Sequence, residues 1–338
     1  MGENVSAVTS VVIPSLDEVT TIGDLLAALQ QQTVDPSTFE VLIVDGGSTD
    51  GTIERVALFS QARPEMDIRV VDNPDRIIPA ALNRGIEAAK GDVIIRLDAH
   101  SAPSPDYIER CLEALERTGA ANAGGVWQIE PGGEGWQARS IAAAAAHPLG
   151  AGDARYRISG EAGPIDTVPF GAFRAEWLQK VGPFNESLLT NEDYEYNVRL
   201  RQAGGTVYFD PVIRSTYYAR ASLAALAHQY ARYGYWKVRM LRLYPGSLRW
   251  RQVLPPLFVL ATLVLSIAGL AWPLAWGLLA VQWGGYASIL FLFGLSAAFR
   301  RRDAALLLGF PLAVTLIHMC WGGAFLWGLI SGAGRRDR

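Results

Sequence analysis

Cysteine is nearly missing from this chain: its 338 residues contain two, Cys111 and Cys320, which rules out a disulfide framework. No sign of charge dominates either. Thirty Lys and Arg stand against 33 Asp and Glu, so there is no basic footprint of the kind nucleic acid requires. The first residues lack a basic region followed by an apolar run, and Val11-Val12-Ile13 is too short for a signal peptide; no export signal is expected. Charge is scarcest towards the far end. Between residues 253 and 330 the only charged residues are Arg300, Arg301, Arg302 and Asp303, which excludes an ordinary water-facing domain there and reads as a membrane region.

Three apolar segments make up that region: Val253 to Trp272, Trp276 to Phe299 and Ala304 to Ile330. Each is long enough to cross a hydrocarbon core of about 30 Å. Arg242, Arg249 and Arg251 precede the first, and Arg300 to Arg302 follow the second, which places both flanks in the cytoplasm by the positive-inside rule. Arg335, Arg336 and Arg338 conflict with that rule if the third segment crosses completely. A re-entrant third segment, broken near Gly309-Phe310-Pro311, removes the conflict, and both arrangements stand.

From Val8 to Asp98, β-branched apolar runs alternate with helical patterns, the signature of βαβ units on a parallel sheet. Strands are predicted at Thr9 to Ile13, Glu40 to Val44, Ile68 to Val71 and Val93 to Leu97. Helices are predicted near Thr21 to Gln31, Thr52 to Ser60 and Pro79 to Ala89. Ligands of such sheets bind beyond the carboxyl ends of the strands, where Asp45 and Asp98 fall. After Pro105 the pattern loosens into an α+β half, with a strand at Gly125 to Ile129 and a Gly-rich, charged stretch from Gly150 to Pro164 expected to be mobile. Ser222 to Leu243 reads as an amphipathic helix whose aromatic and basic residues suit a membrane interface.

Three acidic stations carry the chemistry. Asp45-Gly46-Gly47-Ser48-Thr49-Asp50-Gly51-Thr52 is either an ordinary βα turn with a helix cap or a nucleoside site, in which a strand-end carboxylate accepts bonds from a base or ribose. In Arg96-Leu97-Asp98-Ala99-His100, residues i and i+2 of an extended segment point the same way, so Asp98 and His100 could share one cation; a capped turn with a structural histidine is the alternative. In Thr190-Asn191-Glu192-Asp193-Tyr194-Glu195 the acids sit at a helix start, where capping alone would account for any one of them. A transferase to a sugar hydroxyl also needs a base there.

In this order, and followed by membrane segments, the stations resemble the family 2 glycosyltransferases of the GT-A fold. The resemblance runs from about Val8 to Lys237 and includes Val11-Val12-Ile13-Pro14 with Asp17-Glu18, the Asp45 turn, Ala81-Leu82-Asn83-Arg84-Gly85-Ile86, the strand ending in Asp98, and Asn191-Glu192-Asp193. Arg76-Ile77-Ile78-Pro79-Ala80-Ala81-Leu82-Asn83, Arg96 to His100 and Tyr230 to Lys237 are similar to succinoglycan-type exopolysaccharide glucosyltransferases. The fold implied is an α/β, Rossmann-like nucleotide-sugar domain over residues 1–220, an amphipathic interfacial helix over 221–250 and about three transmembrane segments over 251–332.

The same resemblance implies that Pro14, Glu18, Asp45, Asn83 and Asp98 hold the donor, that Asp98 and His100 bind a divalent cation, Mn or Mg, and that Asp193 is the base with Glu192 beside it. The family's usual Asp-x-Asp is Asp-x-His here, as in polypeptide N-acetylgalactosaminyltransferases. Gln229 and Arg232 partly echo the Gln-x-x-Arg-Trp motif of processive synthases, with Trp236 one turn beyond. These three residues would contact the acceptor, or else belong to an interfacial aromatic helix.

The leading function is inverting transfer of one sugar, from a UDP-sugar, to a polyprenyl-diphosphate-linked saccharide in exopolysaccharide or cell-surface glycan synthesis. The site would be the cytoplasmic face of the inner or plasma membrane, in a glycan-assembly complex or alone. The alternatives are a polyprenyl-phosphate sugar synthase, a processive synthase, for which three spans are few, and a non-catalytic nucleotide-sugar-binding subunit.

Overall fold

A computed structural model of the chain describes residues 9–332; Arg335, Arg336 and Arg338 lie outside the described residues. In chain order the elements are β1 (Thr9–Ser15), α1 (Ile22–Gln30), β2 (Phe39–Asp45), α2 (Thr52–Ala62), β3 (Asp67–Asp72), α3 (Ile78–Ala88), β4 (Val93–Arg96), β5 (Ala102–Pro103), α4 (Tyr107–Thr118) and β6 (Asn122–Pro131). There follow α5 (Gly135–Ala145), α6 (Pro148–Ala151), α7 (Arg155–Ile158), β7 (Gly163–Pro164), β8 (Ala172–Arg174), α8 (Ala175–Val181), α9 (Glu192–Gln202) and β9 (Val207–Ala219). The last elements are α10 (Leu223–Leu243), α11 (Trp250–Ala268), α12 (Leu274–Arg301) and α13 (Leu306–Ser331).

The chain divides into two compact units. Among the described residues the first comprises 9–128 and 159–217; the second comprises 129–158 and 218–332.

In the first unit, β1 and β2 are apolar on both faces because both faces are covered, as a parallel sheet requires. The sheet order is β3-β2-β1-β4-β8-β6-β9-β5, with β7 on β9. The pairs β1–β2, β1–β4 and β2–β3 are parallel, and β8 turns the sheet antiparallel. Register places Pro14 beside Val44 and Ser15 beside Asp45, so the two carboxyl ends stop side by side. Leu25, Leu26 and Leu29 of α1 and Tyr107 and Ile108 of α4 join Val11, Ile13, Val41, Ile43 and Ile95 in one core. Each such aliphatic side chain contributes roughly 1.5–3 kcal/mol on burial. Helix α3 lies close against the sheet: a Cβ on Gly85 would come within 2.3 Å of Val12 Cγ1 and 3.0 Å of Val44 Cγ2, and so α3 needs glycine there.

In the second unit Ala142, Ala143, Ala144 and Ala145 are all buried within α5. Gly309 of α13 meets Ser140 of α5, and Arg139 Nε donates to Asp303 Oδ2 at 2.6 Å. The stretch from Gly150 to Pro164, expected to be mobile, contains α7, β7 and the end of α6. His318 Nε2 reaches the Leu149 carbonyl oxygen at 2.8 Å, so that nitrogen carries the hydrogen, and Nδ1 accepts from the Tyr286 hydroxyl at 2.9 Å.

Helices α11, α12 and α13 are each long and apolar enough to cross a membrane. Of the two arrangements left open for the third segment, the one with a break near Gly309-Phe310-Pro311 does not occur: α13 runs unbroken through Pro311. Proline frees the carbonyl four residues earlier, here Leu307, and α12 approaches so closely at this point that a Cβ on Gly294 would stand 2.8 Å from that oxygen. The neighbouring helix shields what the proline exposes.

Candidate active site

The site grows from the carboxyl ends of β2, β1 and β4. Asp45 ends β2, and its carboxylate folds the following turn around itself: Oδ2 accepts from Gly47 N (2.9 Å) and Ser48 N (3.0 Å), and Oδ1 from Ser48 Oγ (2.5 Å). Gly47 has φ 77°, a left-handed conformation that glycine adopts without strain. The turn is stitched to the loop after β1 from both sides. Asp17 N donates to Ser48 Oγ (2.9 Å), Thr49 N to Asp17 Oδ1 (2.8 Å), Glu18 N to Thr52 Oγ1 (2.8 Å) and Val19 N to Asp50 Oδ2 (3.0 Å). Two loops far apart in sequence thus form one rim, with Pro14 half-buried at its base.

Glu18 connects this rim to β4. Its Oε2 accepts from Thr21 Oγ1 (2.6 Å), and its Oε1 lies 3.3 Å from His100 Nδ1. Burial raises the Glu18 carboxyl, but the hydrogen bonds from His100 and Thr21 outweigh it and hold the group below its ordinary value.

Arg96, at the last position of β4, is only 6% exposed. Its Nη2 lies 3.2 Å from Asp98 Oδ1 and 3.1 Å from Glu192 Oε1, and its Nε lies 3.3 Å from Asp98 Oδ1. Burial works against the guanidinium charge; Asp98, Glu192 and Asp193 more than restore it. Arg96 therefore joins the second acidic station to the third. Its place in the motif is plain in the sequence, but no role follows there, because the partner Glu192 is 96 residues away. An arginine at the buried end of a central parallel strand is the signal that points to it: such a charge must be paired.

At the start of α9, Asn191 takes a left-handed φ of 66° and makes no side-chain cap bond. Asp193 is half-buried and accepts from Tyr194 N at 2.7 Å. Burial and the neighbouring Glu192 charge push its carboxyl up to about 6, against the pull of Arg96. A base must be ionised to accept a proton, so if Asp193 is that base, turnover should fall as pH drops through about 6. A rate profile flat from pH 7.5 to 5 would remove Asp193 from the role.

Asp45, Glu18, His100, Asp98, Arg96, Glu192 and Asp193 follow one another across the strand ends. Asn83 is engaged elsewhere: its Nδ2 donates to Phe184 O (3.0 Å) and Glu186 Oε1 (2.8 Å), and its Oδ1 accepts from Phe184 N (2.7 Å). Gln229, Arg232 and Trp236 are on α10 of the second unit, where Gln229 Nε2 donates to Tyr233 Oη at 3.0 Å and Arg239 lies over the Trp236 ring, 5.4 Å from its centroid. Among the described residues no group of three or more His, Cys, Asp or Glu is arranged to hold a metal. The donor set nevertheless fits manganese or magnesium: Asp98 offers a hard oxygen and His100 an imidazole nitrogen, and such ions commonly take their remaining ligands from substrate phosphates and water.

Known proteins resemble this chain in sequence and in fold. The profile of the family described as Glycosyl transferase family 2 matches residues 10–182. The chain is 31% identical over 328 residues to the succinoglycan biosynthesis protein ExoA of Rhizobium meliloti, covering 96% of this chain and 95% of that one. It is 26% identical to the dolichyl N-acetyl-alpha-D-glucosaminyl phosphate 3-beta-D-2,3-diacetamido-2,3-dideoxy-beta-D-glucuronosyltransferase of Methanococcus voltae, covering 96% and 97%. Among solved structures, the mannosyltransferase PcManGT of Pyrobaculum calidifontis, in complex with GDP-Man and Mn2+, superposes with a TM-score of 0.58 at 17% identity, covering 93% of this chain and 87% of that one. At that identity the likeness speaks for the fold alone, and the fold is GT-A.

Proposed function

Since this chain belongs to glycosyl transferase family 2, we propose that it transfers one sugar, with inversion, from a nucleotide-sugar donor, a UDP-sugar, to a hydroxyl of a polyprenyl-diphosphate-linked saccharide. The observation that carries this reading is Asp193, a half-buried carboxyl pushed up to about 6 and tied through Glu192 and Arg96 to Asp98. A hydroxyl acceptor must lose a proton as it attacks, and a carboxylate so placed can take it. A polyprenyl-phosphate acceptor is already ionised and needs no such group, which disfavours a polyprenyl-phosphate sugar synthase. The Methanococcus relative supports the acceptor class, since its name gives a lipid-phosphate-linked sugar.

On this reading the Asp45 rim and Glu18 bind the nucleoside, and Asp98 and His100 hold the cation. When bound, that cation would neutralise the donor's diphosphate and stabilise it as a leaving group. The Pyrobaculum complex with GDP-Man and Mn2+ supports both the donor class and the ion. On the same reading Asp193 takes the acceptor's proton, and Gln229, Arg232 and Trp236 of α10 are the proposed contacts to acceptor sugars. The first unit faces the cytoplasm, where nucleotide sugars are made, and the second anchors it in the inner or plasma membrane, beside any partners in glycan assembly.

The test uses detergent-purified full-length protein, a native lipid extract and a panel of labelled nucleotide sugars. Label from one donor should enter the lipid fraction, fall to background in excess chelator and return with manganese. His100→Asp, which restores the commoner acidic pair, should retain more transfer than His100→Ala. Donor binding with no transfer under any condition would overturn the enzymatic reading; undiminished transfer in chelator would overturn the metal.

A further inference from the structure

Helix α13 is about as apolar as the other two long C-terminal helices but the most covered of the three. About two-fifths of its most apolar stretch is buried, against about one-tenth for α11 and for α12. Of its exposed large residues, Leu308, Leu312, Trp327 and Ile330 fall within an arc of about 100° at 100° per residue, and Leu329 lies about 60° beyond its edge. The rest of its surface packs on α5, α10, α11 and α12.

Two sets of contacts fix how α13 runs relative to the α11–α12 pair. Gln282 Nε2 donates to Phe258 O (3.1 Å) and Thr262 Oγ1 (2.9 Å), which levels residue 282 of α12 with about residue 260 of α11. In an antiparallel pair, residue 294 is then level with about 248. Gly294 abuts Leu307 and Pro311 of α13, while Leu248 packs beside Val238 and Phe325. Between Pro311 and Phe325, over about 21 Å of helix at 1.5 Å per residue, His318 meets Tyr286 of α12 and Gly322 meets Pro255 of α11, so the contacts of α13 with the α11–α12 pair stay within about eight residues of the start of α11. A helix descending through the bilayer beside α11 would be about 14 residues deeper by Phe325.

Charges agree with that level along the whole length of α13. Just before its first turn Asp303 pairs with Arg139. Beside its middle, Leu149 accepts from His318 and, four residues on, Asp153 pairs with Arg251 at the start of α11. Near its far end Arg242 Nη2 donates to the Leu329 carbonyl at 3.4 Å. Helix α10, with Arg232, Lys237, Arg239 and Arg242, lies alongside: a Cβ on its Gly234 would stand 2.2 Å from the Trp321 carbonyl oxygen. A crossing α13 would carry these cations into hydrocarbon, where they are strongly disfavoured.

We propose that α13 does not cross the bilayer but lies along the face at which α11 begins, with the stripe Leu308, Leu312, Trp327 and Ile330 in the acyl layer of a lipid surface. It forms a floor between α10 and the membrane. The chain then crosses twice, through α11 and α12, and residue 331 stays on the side of Arg251 and Asp303. The inference rests on the membrane anchoring proposed above and not on the transfer chemistry.

Single cysteines at Ala271, in the turn between α11 and α12, and at Ser331 test it in the full chain with Cys111 and Cys320 replaced by alanine. In intact cells a membrane-impermeant maleimide should label Ala271→Cys from outside and Ser331→Cys only after permeabilisation. Should the cysteine-free chain fail to accumulate, a reporter that fluoresces only when folded in the cytoplasm, fused after residue 338 of the native chain, should be fluorescent. External labelling of Ser331→Cys, or a dark reporter, overturns the inference while leaving the α11–α12 pair intact. Ala271→Cys shielded from outside overturns the pair and the inference with it. Sugar transfer is measured separately, so loss of the enzymatic reading is told apart from either result.

Discussion

Asp193→Asn should reduce sugar transfer by about two to four orders of magnitude while leaving donor binding near its normal strength. Asparagine keeps the size of the side chain and can still accept from Tyr194 N, as Asp193 does at 2.7 Å, so α9 should begin as before. What it loses is an oxygen basic enough to take the acceptor's proton. Glu192→Gln should cost less transfer, since Glu192 is spent on Arg96. Transfer rates, donor affinity and the anomeric configuration of the product would be measured together. A β-linked product from an α-linked donor agrees with in-line attack assisted by Asp193. Retention of configuration, or a rate kept in Asp193→Asn and lost in Glu192→Gln, would move the base or remove it.

Arg96→Met should be the most damaging change in the first unit outside its apolar core. Arg96 is buried and shared between Asp98 and Glu192. Methionine fills much of the volume but leaves both carboxylates without their cation, and stranding one partner of a buried pair costs about 3–5 kcal/mol. The unfolding midpoint should fall sharply. A second readout separates the electrostatic role from packing. Arg96 is the one charge that lowers Asp193 against burial and Glu192, so in Arg96→Met the acid limb of the rate profile should move above about 6. Arg96→Lys should recover part of both losses, and adding Glu192→Gln to Arg96→Met should recover stability. An unchanged midpoint and an unmoved acid limb would show that Arg96 is a spectator.

Those two residues show what could be read from the chain and what could not. The βαβ half is legible because β1, β2 and β4 are short apolar runs between turn residues, and their ends are limited by Asp45 and Asp98 themselves. Asp193 is legible as a candidate because acids at a helix start form a local pattern. Arg96 as a link is not, since a motif shows spacing along the chain and the Arg96–Glu192 pair closes a long loop. The same limit hid β8, three residues long, and the membership of 129–158 in the second unit, where the partner of the Ala-rich helix is the final helix of the chain. Whether the third apolar segment breaks at Pro311 stayed open in the sequence, because the close approach of Gly294 that makes proline tolerable there belongs to another helix.

That α5 and α6 pack against α13 also sets a timetable for synthesis. The ribosome releases residues 135–151 about 180 residues before it finishes α13, a lag of roughly 9 to 36 s at 5–20 residues per second. During that interval the alanine-lined face of α5 and the backbone around Leu149 have no native partner, and both ends of the 129–158 segment are tethered to β6 and β7 of a sheet that can already close. The nascent chain must therefore hold a finished catalytic sheet with an unfinished insertion hanging from it, and a stall or truncation anywhere before Leu306 leaves an apolar helix waiting for a partner that never arrives.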